Sequence, residues 1–300
     1  MISTIKQAFS KQSISKINPF EWLKSKVSEE NLKVVLFGAP GNLGDMLIVA
    51  ATIQNLEKHD IPFKVGQQNF EDNLDGNELF VIMGSGNYVP LYSGVKNILN
   101  KLSKACPQSQ VVILPSSTYG MEEHLETLNL KLYFFCRELD TFKRMKSALP
   151  KGRALLTHDA ALYLDIQDSR FRAMRNLRQV LNGRTVKTLH AMRGDLEKTD
   201  AFTIEKRHKN VDISLLRTNR GNAFLSTYAI NVDAVFEDVN FMLMYLLPFN
   251  PIVTNRLHVC IAALLLGKKV EIYDNSYGKL SGVYKNSLKE LYPDKIKIHA

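Results

Sequence analysis

Long hydrophobic runs are missing from this sequence. The longest, Cys260–Leu266, falls far short of the ~20 apolar residues that a membrane-spanning helix requires. Cysteine is scarce: Cys106, Cys136 and Cys260 stand far apart with no CxxC pair. That excludes a disulfide framework and a structural zinc, and predicts reduced thiols in a cytoplasm. With Gly 16 and Pro 10 in 300 residues, collagen-like and Pro-rich material is excluded as well. The N-terminus lacks the apolar stretch of a secretory signal, since Lys6, Lys11 and Lys16 lie among Ser and Gln. Acid is in deficit, 30 Asp plus Glu against 39 Lys plus Arg, for a net charge of +9.

What remains is the composition of a globular protein, 45% hydrophobic and 23% charged. The length predicts two domains, at ~100–200 residues each. Residues 1–30 read as a basic lead-in with apolar residues at loose helical spacing. The spacing favours a helix packed on the first domain, broken at Pro19, over a membrane-surface helix.

From Lys33 the pattern changes. Short apolar runs at Lys33–Gly38, Leu79–Met83, Val111–Leu114 and Leu132–Cys136 alternate with helix-like stretches. Continuous apolar strands alternating with helices predict a parallel sheet covered on both faces. Residues 165–184 turn basic, with Arg170, Arg172, Arg175, Arg178 and Arg184 and no acid between Asp168 and Asp195. The domain connection is placed there, as a helix. It divides a Rossmann-like domain over 31–168 from a second over 169–300. The second set comprises strands at Thr185–Ala191, Val211–Leu215, Ile252–Thr254 and Val270–Tyr273, with helices between and a last helix near Val283–Leu291. The fold class predicted is α/β, two Rossmann-like domains with parallel sheets facing a ligand cleft.

Two stretches carry chemistry. Gly38 to Asp45 is a strand–glycine loop–helix junction, suited to holding an anion on helix N–H groups. It lacks the Gly-Lys-Ser/Thr of a Walker loop, and no acid closes the next strand as a dinucleotide site requires. Tyr92 and Lys96 have dehydrogenase spacing but come too early in the chain. Asp45 reads either as the helix cap or as a contact or base for a sugar hydroxyl. The second stretch, Thr254-Asn-Arg256-Leu-His258, ends a strand and starts a helix. Arg256 offers a fork for carboxylate or phosphate, and His258 gives or takes a proton near neutral pH. A purely capping role for the pair is disfavoured, because a helix N-terminus repels cations.

Gly41-Asn42-Leu-Gly44-Asp45, Gly84-Ser-Gly86, Leu114-Pro-Ser-Ser117, Arg137-Glu138, His158-Asp159, Arg193-Gly-Asp195, Thr254-Asn-Arg256-Leu-His258 and Asp274-Asn275 with Lys279 occur in this order. In that order they resemble the polysaccharide pyruvyltransferase family over roughly residues 33–290. The resemblance implies a fold like the two-domain GT-B glycosyltransferases; the cysteine usage and the surplus of basic residues add the expectation of a cytoplasmic protein with peripheral contact at the inner membrane face. It implies transfer of pyruvyl from phosphoenolpyruvate to a sugar of an exopolysaccharide or its lipid-linked precursor, closing a ketal across two hydroxyls. On this reading His258 is the general acid and Asp45 orients or deprotonates the acceptor. Arg256, Arg193, Arg137 and Lys279 bind the donor, while Asn42, Gly44, Gly84 and Gly86 form the acceptor side or its loops. Phosphoenolpyruvate is a co-substrate, with no cofactor or metal required; His158-Asp159 reads as a structural hydrogen bond. The alternative is a GT-B glycosyltransferase using a nucleotide sugar. The charge of +9 is read as serving an anionic donor and an anionic membrane face, since no nucleic-acid motif is present.

Overall fold

The computed structural model describes residues 15–38, 41–66, 70, 74, 76–184, 187–194, 210–216, 230–274 and 278–299. Most of the N-terminal lead-in, Asp195, Asn275 and the side chain of Lys279 lie outside the described residues.

Pro19 starts a helix and does not break one. The Asn18 side chain accepts from the N–H groups of Phe20 and Glu21, capping α1 (Pro19–Glu30). Proline suits that first turn, where its missing N–H would have no partner in the helix.

Six parallel strands follow: β1 (Lys33–Phe37), β2 (Phe63–Val65), β3 (Glu78–Ile82), β4 (Gln110–Ser116), β5 (Lys131–Cys136) and β6 (Ala154–Leu156). Their order across the sheet is β2-β1-β3-β4-β5-β6. Alternate residues of β1 enter different cores, as the two-residue period of a strand dictates. Val34 and Leu36 pack with Leu47 and Ile53 of α2 (Leu43–Lys58). Val35 and Phe37 join the opposite core. That core holds residues of α3 (Gly94–Ala105), α4 (Glu122–Glu126) and α5 (Leu139–Ala148). Chain direction across the sheet reverses at β1, between β2 and β3. Ligands of open α/β sheets bind beyond the strands' carboxyl ends at such a reversal.

The second sheet is also parallel, with β7 (Leu189–Ala191), β8 (Ile252–Thr254), β9 (Val270–Tyr273) and β10 (Ile296–His299) in the order β10-β9-β8-β7. With it pack α6 (Arg172–Leu181), α7 (Val232–Leu246) and α8 (Leu257–Leu265). The chain is thus α/β with two Rossmann-like parallel sheets in a GT-B-like arrangement. Val211–Leu215 is not a strand. Its pairing stops at one bridge between His190 and Asn210. The Asn210 side chain there takes up both the N–H and the carbonyl of Met192, and Ile213–Leu215 turn as a 3-10 helix. Strands β6 and β10 add to the expected set, one at an edge of each sheet.

Helix α2 is buried on nearly every side. Beyond the first sheet it packs against α7 and α8, and Leu47, Ala51, Val239, Leu243, Val259 and Ala263 belong to one continuous core. A dry helical layer therefore joins the two halves. A second link is the C-terminal run of α9 (Lys279–Val283), a π-helical turn (Tyr284–Leu288) and α10 (Lys289–Leu291). It returns to the first sheet, where the Asn286 side chain donates to the carbonyls of Arg137 and Thr157 at 2.9 and 2.8 Å.

Candidate active site

The loop after β1 delivers Asp45 to the carboxyl edge. The Gly44 N–H donates to Asn42 Oδ1 and the Asn42 N–H to Asp45 Oδ2, both at 2.8 Å, forming a capping box. Capping takes only one carboxylate oxygen. The other, Oδ1, lies 4.0 Å from His258 Nδ1, so the two readings of Asp45 are compatible. Two glycines allow this approach. A Cβ on Gly41 would fall 1.9 Å from the Asp45 carboxylate, and one on Gly44 would fall 2.9 Å from His258 Cβ.

His258 sits in the first turn of α8, directly beyond β8. Its Nε2 lies 3.8 Å from Asp159 Oδ2. That is longer than a hydrogen bond, and this buried nitrogen has no hydrogen-bond partner. The imidazole thus lies between two carboxylates from opposite ends of the first sheet's chain. Asp159 follows β6, is wholly buried, and accepts from the Ala161 N–H at 2.9 Å. Burial alone would raise its carboxyl. The Arg137 guanidinium, with Nη1 2.7 Å away, and His258 outweigh burial and hold it well below the ordinary carboxylate range.

Arg137 occupies a different place from the one expected of a donor-binding residue. It leaves the end of β5 into the interior, has no exposed surface, and gives Nε to Ser117 Oγ at 2.8 Å and Nη1 to Asp159. Through Asp159 its charge lies close to His258.

Arg256 precedes α8 at the carboxyl edge of the second sheet. Thr254 Oγ1 accepts its N–H at 3.0 Å and donates to the Ala191 carbonyl at 2.6 Å, locking the β7 and β8 ends together. Its guanidinium meets Asp212 in a two-pronged pair, Nε to Oδ1 at 2.6 Å and Nη2 to Oδ2 at 2.5 Å. Sequence reasoning missed Asp212, which sits in the segment expected to be a strand and belongs to no local pattern. It also missed the Asp159–His258 approach, although both residues stood within matched motifs. Arg193 comes alongside Arg256, its N–H donating to Asn255 Oδ1 at 2.7 Å. Lys279 opens α9 after Gly278, whose φ is +74°.

Gly84 and Gly86 are buried in packing positions. A Cβ on Gly84 would fall 2.4 Å from the Pro115 carbonyl oxygen. The Ser85 N–H donates to Ser116 Oγ at 3.1 Å, tying this loop to the end of β4. His158 bonds Ser287 Oγ through Nδ1 at 2.7 Å. Among the described residues no group of three His, Cys, Asp or Glu side chains is arranged to hold a metal ion. Also among them, no helix is long and apolar enough to cross a membrane.

Comparison with known proteins bears on this arrangement. The chain is 24% identical over 264 residues to EpsO of Bacillus subtilis (strain 168), which carries a pyruvyl transferase name, covering 80% of each protein. It is 25% identical to general stress protein 30 of the same organism, over 88% of this chain and 81% of that one. A crystal structure of an uncharacterised protein from Klebsiella pneumoniae subsp. pneumoniae NTUH-K2044 superposes with a TM-score of 0.76 at 26% identity. It covers 95% of this chain and 100% of that one. The family model described as polysaccharide pyruvyl transferase matches residues 42–277, a span that takes in Asn42, Asp45, Arg137, Asp159, Arg193, Asp212, Arg256 and His258 but not Lys279. This chain is a pyruvyltransferase and belongs to the polysaccharide pyruvyl transferase family.

Proposed function

We propose that the enzyme takes its pyruvyl group from phosphoenolpyruvate and delivers it to a sugar of an exopolysaccharide or its lipid-linked precursor, as a cyclic ketal. The observation that carries this reading is His258 at the start of α8, between Asp45 and Asp159 and two residues from Arg256. The helix N-terminus and Arg256 receive the donor's phosphate or carboxylate, and Arg193 and Lys279 are the further donor contacts of this reading. Asp212 holds the Arg256 fork in place before the donor arrives.

His258 protonates the methylene carbon, which becomes the methyl group, while positive charge develops at C2. A sugar hydroxyl bonds to C2, phosphate leaves, and a second hydroxyl closes the ketal. Of the two hydroxyl protons released, one restores His258 and one departs with phosphate. Asp45 orients the acceptor hydroxyl. Asp159, fixed by Arg137, positions the imidazole. Fixed charges around the developing cation contribute more than the proton transfer itself.

A thermal-shift series tests the donor. Phosphoenolpyruvate at ~100 times its dissociation constant adds ~2.7 kcal/mol and raises the melting midpoint by several degrees. Arg256→Lys, which keeps a cation beside Asp212 but loses the fork, is expected to abolish most of that rise. A rise with a nucleotide sugar instead would move the enzyme to glycosyl transfer.

The surplus positive charge supports peripheral contact with an anionic membrane face. Not all the basic residues singled out are free for it. Arg170 is tied to Asp168 and Glu57, and Lys16 to Glu290. Arg172, Arg178 and Arg184 are exposed along α6 and just beyond it. Binding to phosphatidylglycerol vesicles is expected at low salt, weakening with salt and lost in the triple Glu variant at these positions. Absence of binding by the intact protein rejects the membrane contact.

A further inference from the structure

The two nitrogens of the His258 ring face different surroundings. Nε2 is buried without a hydrogen-bond partner, 3.8 Å from Asp159 Oδ2. Asp159 has no exposed surface, so a substrate has no approach from that side. Nδ1 faces Asp45 Oδ1 at 4.0 Å, where the Asp45 side chain keeps 12% of its surface open and His258 keeps 11%. Glycine leaves room on this side. A Cβ on Gly44 would stand 3.1 Å from Nδ1 itself, and one on Gly41 would overlap the Asp45 carboxylate.

Asp159 is held as a fixed anion. Its Oδ1 accepts the Ala161 N–H at 2.9 Å and its Oδ2 accepts Arg137 Nη1 at 2.7 Å. Arg137 is fixed in turn by Ser117, and Asn286 ties the Arg137 carbonyl to that of Thr157, two residues before Asp159. The carboxyl, held well below the ordinary range by Arg137 and His258, is ionised at neutral pH. An ionised carboxylate only accepts. A ring nitrogen facing it is favoured with its proton and repelled as a bare lone pair. Which imidazole nitrogen keeps the proton is set by such a neighbour. Asp45 pulls on Nδ1 in the same sense, but from slightly farther and from the side open to water, where charges act more weakly.

We propose that Nδ1 is the nitrogen that hands its proton to the donor's methylene carbon, and that Asp159 is a positioning residue that keeps the other proton on Nε2 throughout. The enol π pair forms the new C–H bond, the Nδ1–H bond breaks, and its electron pair stays on Nδ1. The methylene carbon then lies on the glycine side of the ring, within ~3–3.5 Å of Nδ1. The bare nitrogen left behind is the one that faces Asp45, through which a proton from the acceptor hydroxyl returns. This rests on the reading of His258 as the general acid.

The test is nitrogen-15 NMR of the full chain labelled at histidine, with His258→Gln to assign the ring among the 7 histidines. At alkaline pH, where imidazole is neutral, His258 is expected to show the proton-bearing shift at Nε2 and the bare shift at Nδ1. Asp159→Asn places an amide N–H where it donates to Nε2. It is expected to move the proton to Nδ1 and to lower kcat by about 10²- to 10⁴-fold, the scale of a wrongly set imidazole tautomer. The phosphoenolpyruvate melting shift should remain. A proton on Nδ1 in the wild type overturns the proposal, and so does an unchanged tautomer or a full rate in Asp159→Asn. The wild-type spectrum decides even if that variant fails to fold. Full activity in His258→Gln is a different failure: it removes the general acid itself, whichever nitrogen carries the proton.

Discussion

Replacing His258 by Gln is expected to lower kcat by about 10²- to 10⁴-fold, the usual range for a lost general acid. The phosphoenolpyruvate melting shift should survive. Glutamine fills similar space and keeps polar contact with both carboxylates, but it cannot pass a proton to carbon. The proposed anion grip of Arg256 and the α8 N-terminus rests on Thr254 and Asp212, which are untouched by the change. Steady-state rates and thermal shifts on one preparation separate the outcomes. Loss of both activity and shift would make His258 a donor ligand. Full activity would remove it from the chemistry.

Asp159→Ala is the second large effect, and it falls on stability. The change leaves the Arg137 guanidinium with no exposed surface and no counter-charge. Breaking one side of a buried ion pair costs about 3–5 kcal/mol, which lowers the melting midpoint by on the order of 5–15 °C. Pairing Asp159→Leu with Arg137→Met should recover much of that loss, because a matched apolar pair leaves no buried charge. A double variant as unstable as the single one would reject the ion-pair account.

The same pair sets an acid limb. The Asp159 carboxyl titrates lower in the folded chain than in the unfolded one. Its contribution is therefore complete above the unfolded carboxylate value, about 4, and fades as pH falls below it. Acid unfolding of the wild type should show this loss below about pH 4. The Asp159→Leu, Arg137→Met double variant should show less of it.

Much of the local structure was written in the chain. The runs that became β1, β3, β4 and β5 are apolar at every inner position because both sheet faces are covered, and this shows without any partner in view. Asn42 and Asp45 announce a helix start through side chains that bond the adjacent backbone. Thr254 to His258 marks a strand end and a helix start for the same reason. Pro19 was misjudged as an interruption because its meaning depends on whether a cap precedes it, and Asn18 supplies that cap.

The order of the motifs also carried the family and the type of reaction. What the sequence determined by itself, then, was the parallel α/β class, the loops at the strands' carboxyl ends, and a pyruvyl-transfer enzyme. Tertiary structure decided which side chains meet. Asp212 reaches Arg256 across 44 residues of chain, and Asn286 reaches the Arg137 carbonyl across 149. Whether Arg137 faced a ligand or the interior turned on what packs over the end of β5. His258 meets Asp45 and Asp159 only because α2 and α8 share one core, which brings the carboxyl edges of the two sheets together. Local patterns depend on neighbours in the chain and can be read along it. These contacts depend on strand order and helix packing, which exist only once the whole chain has folded.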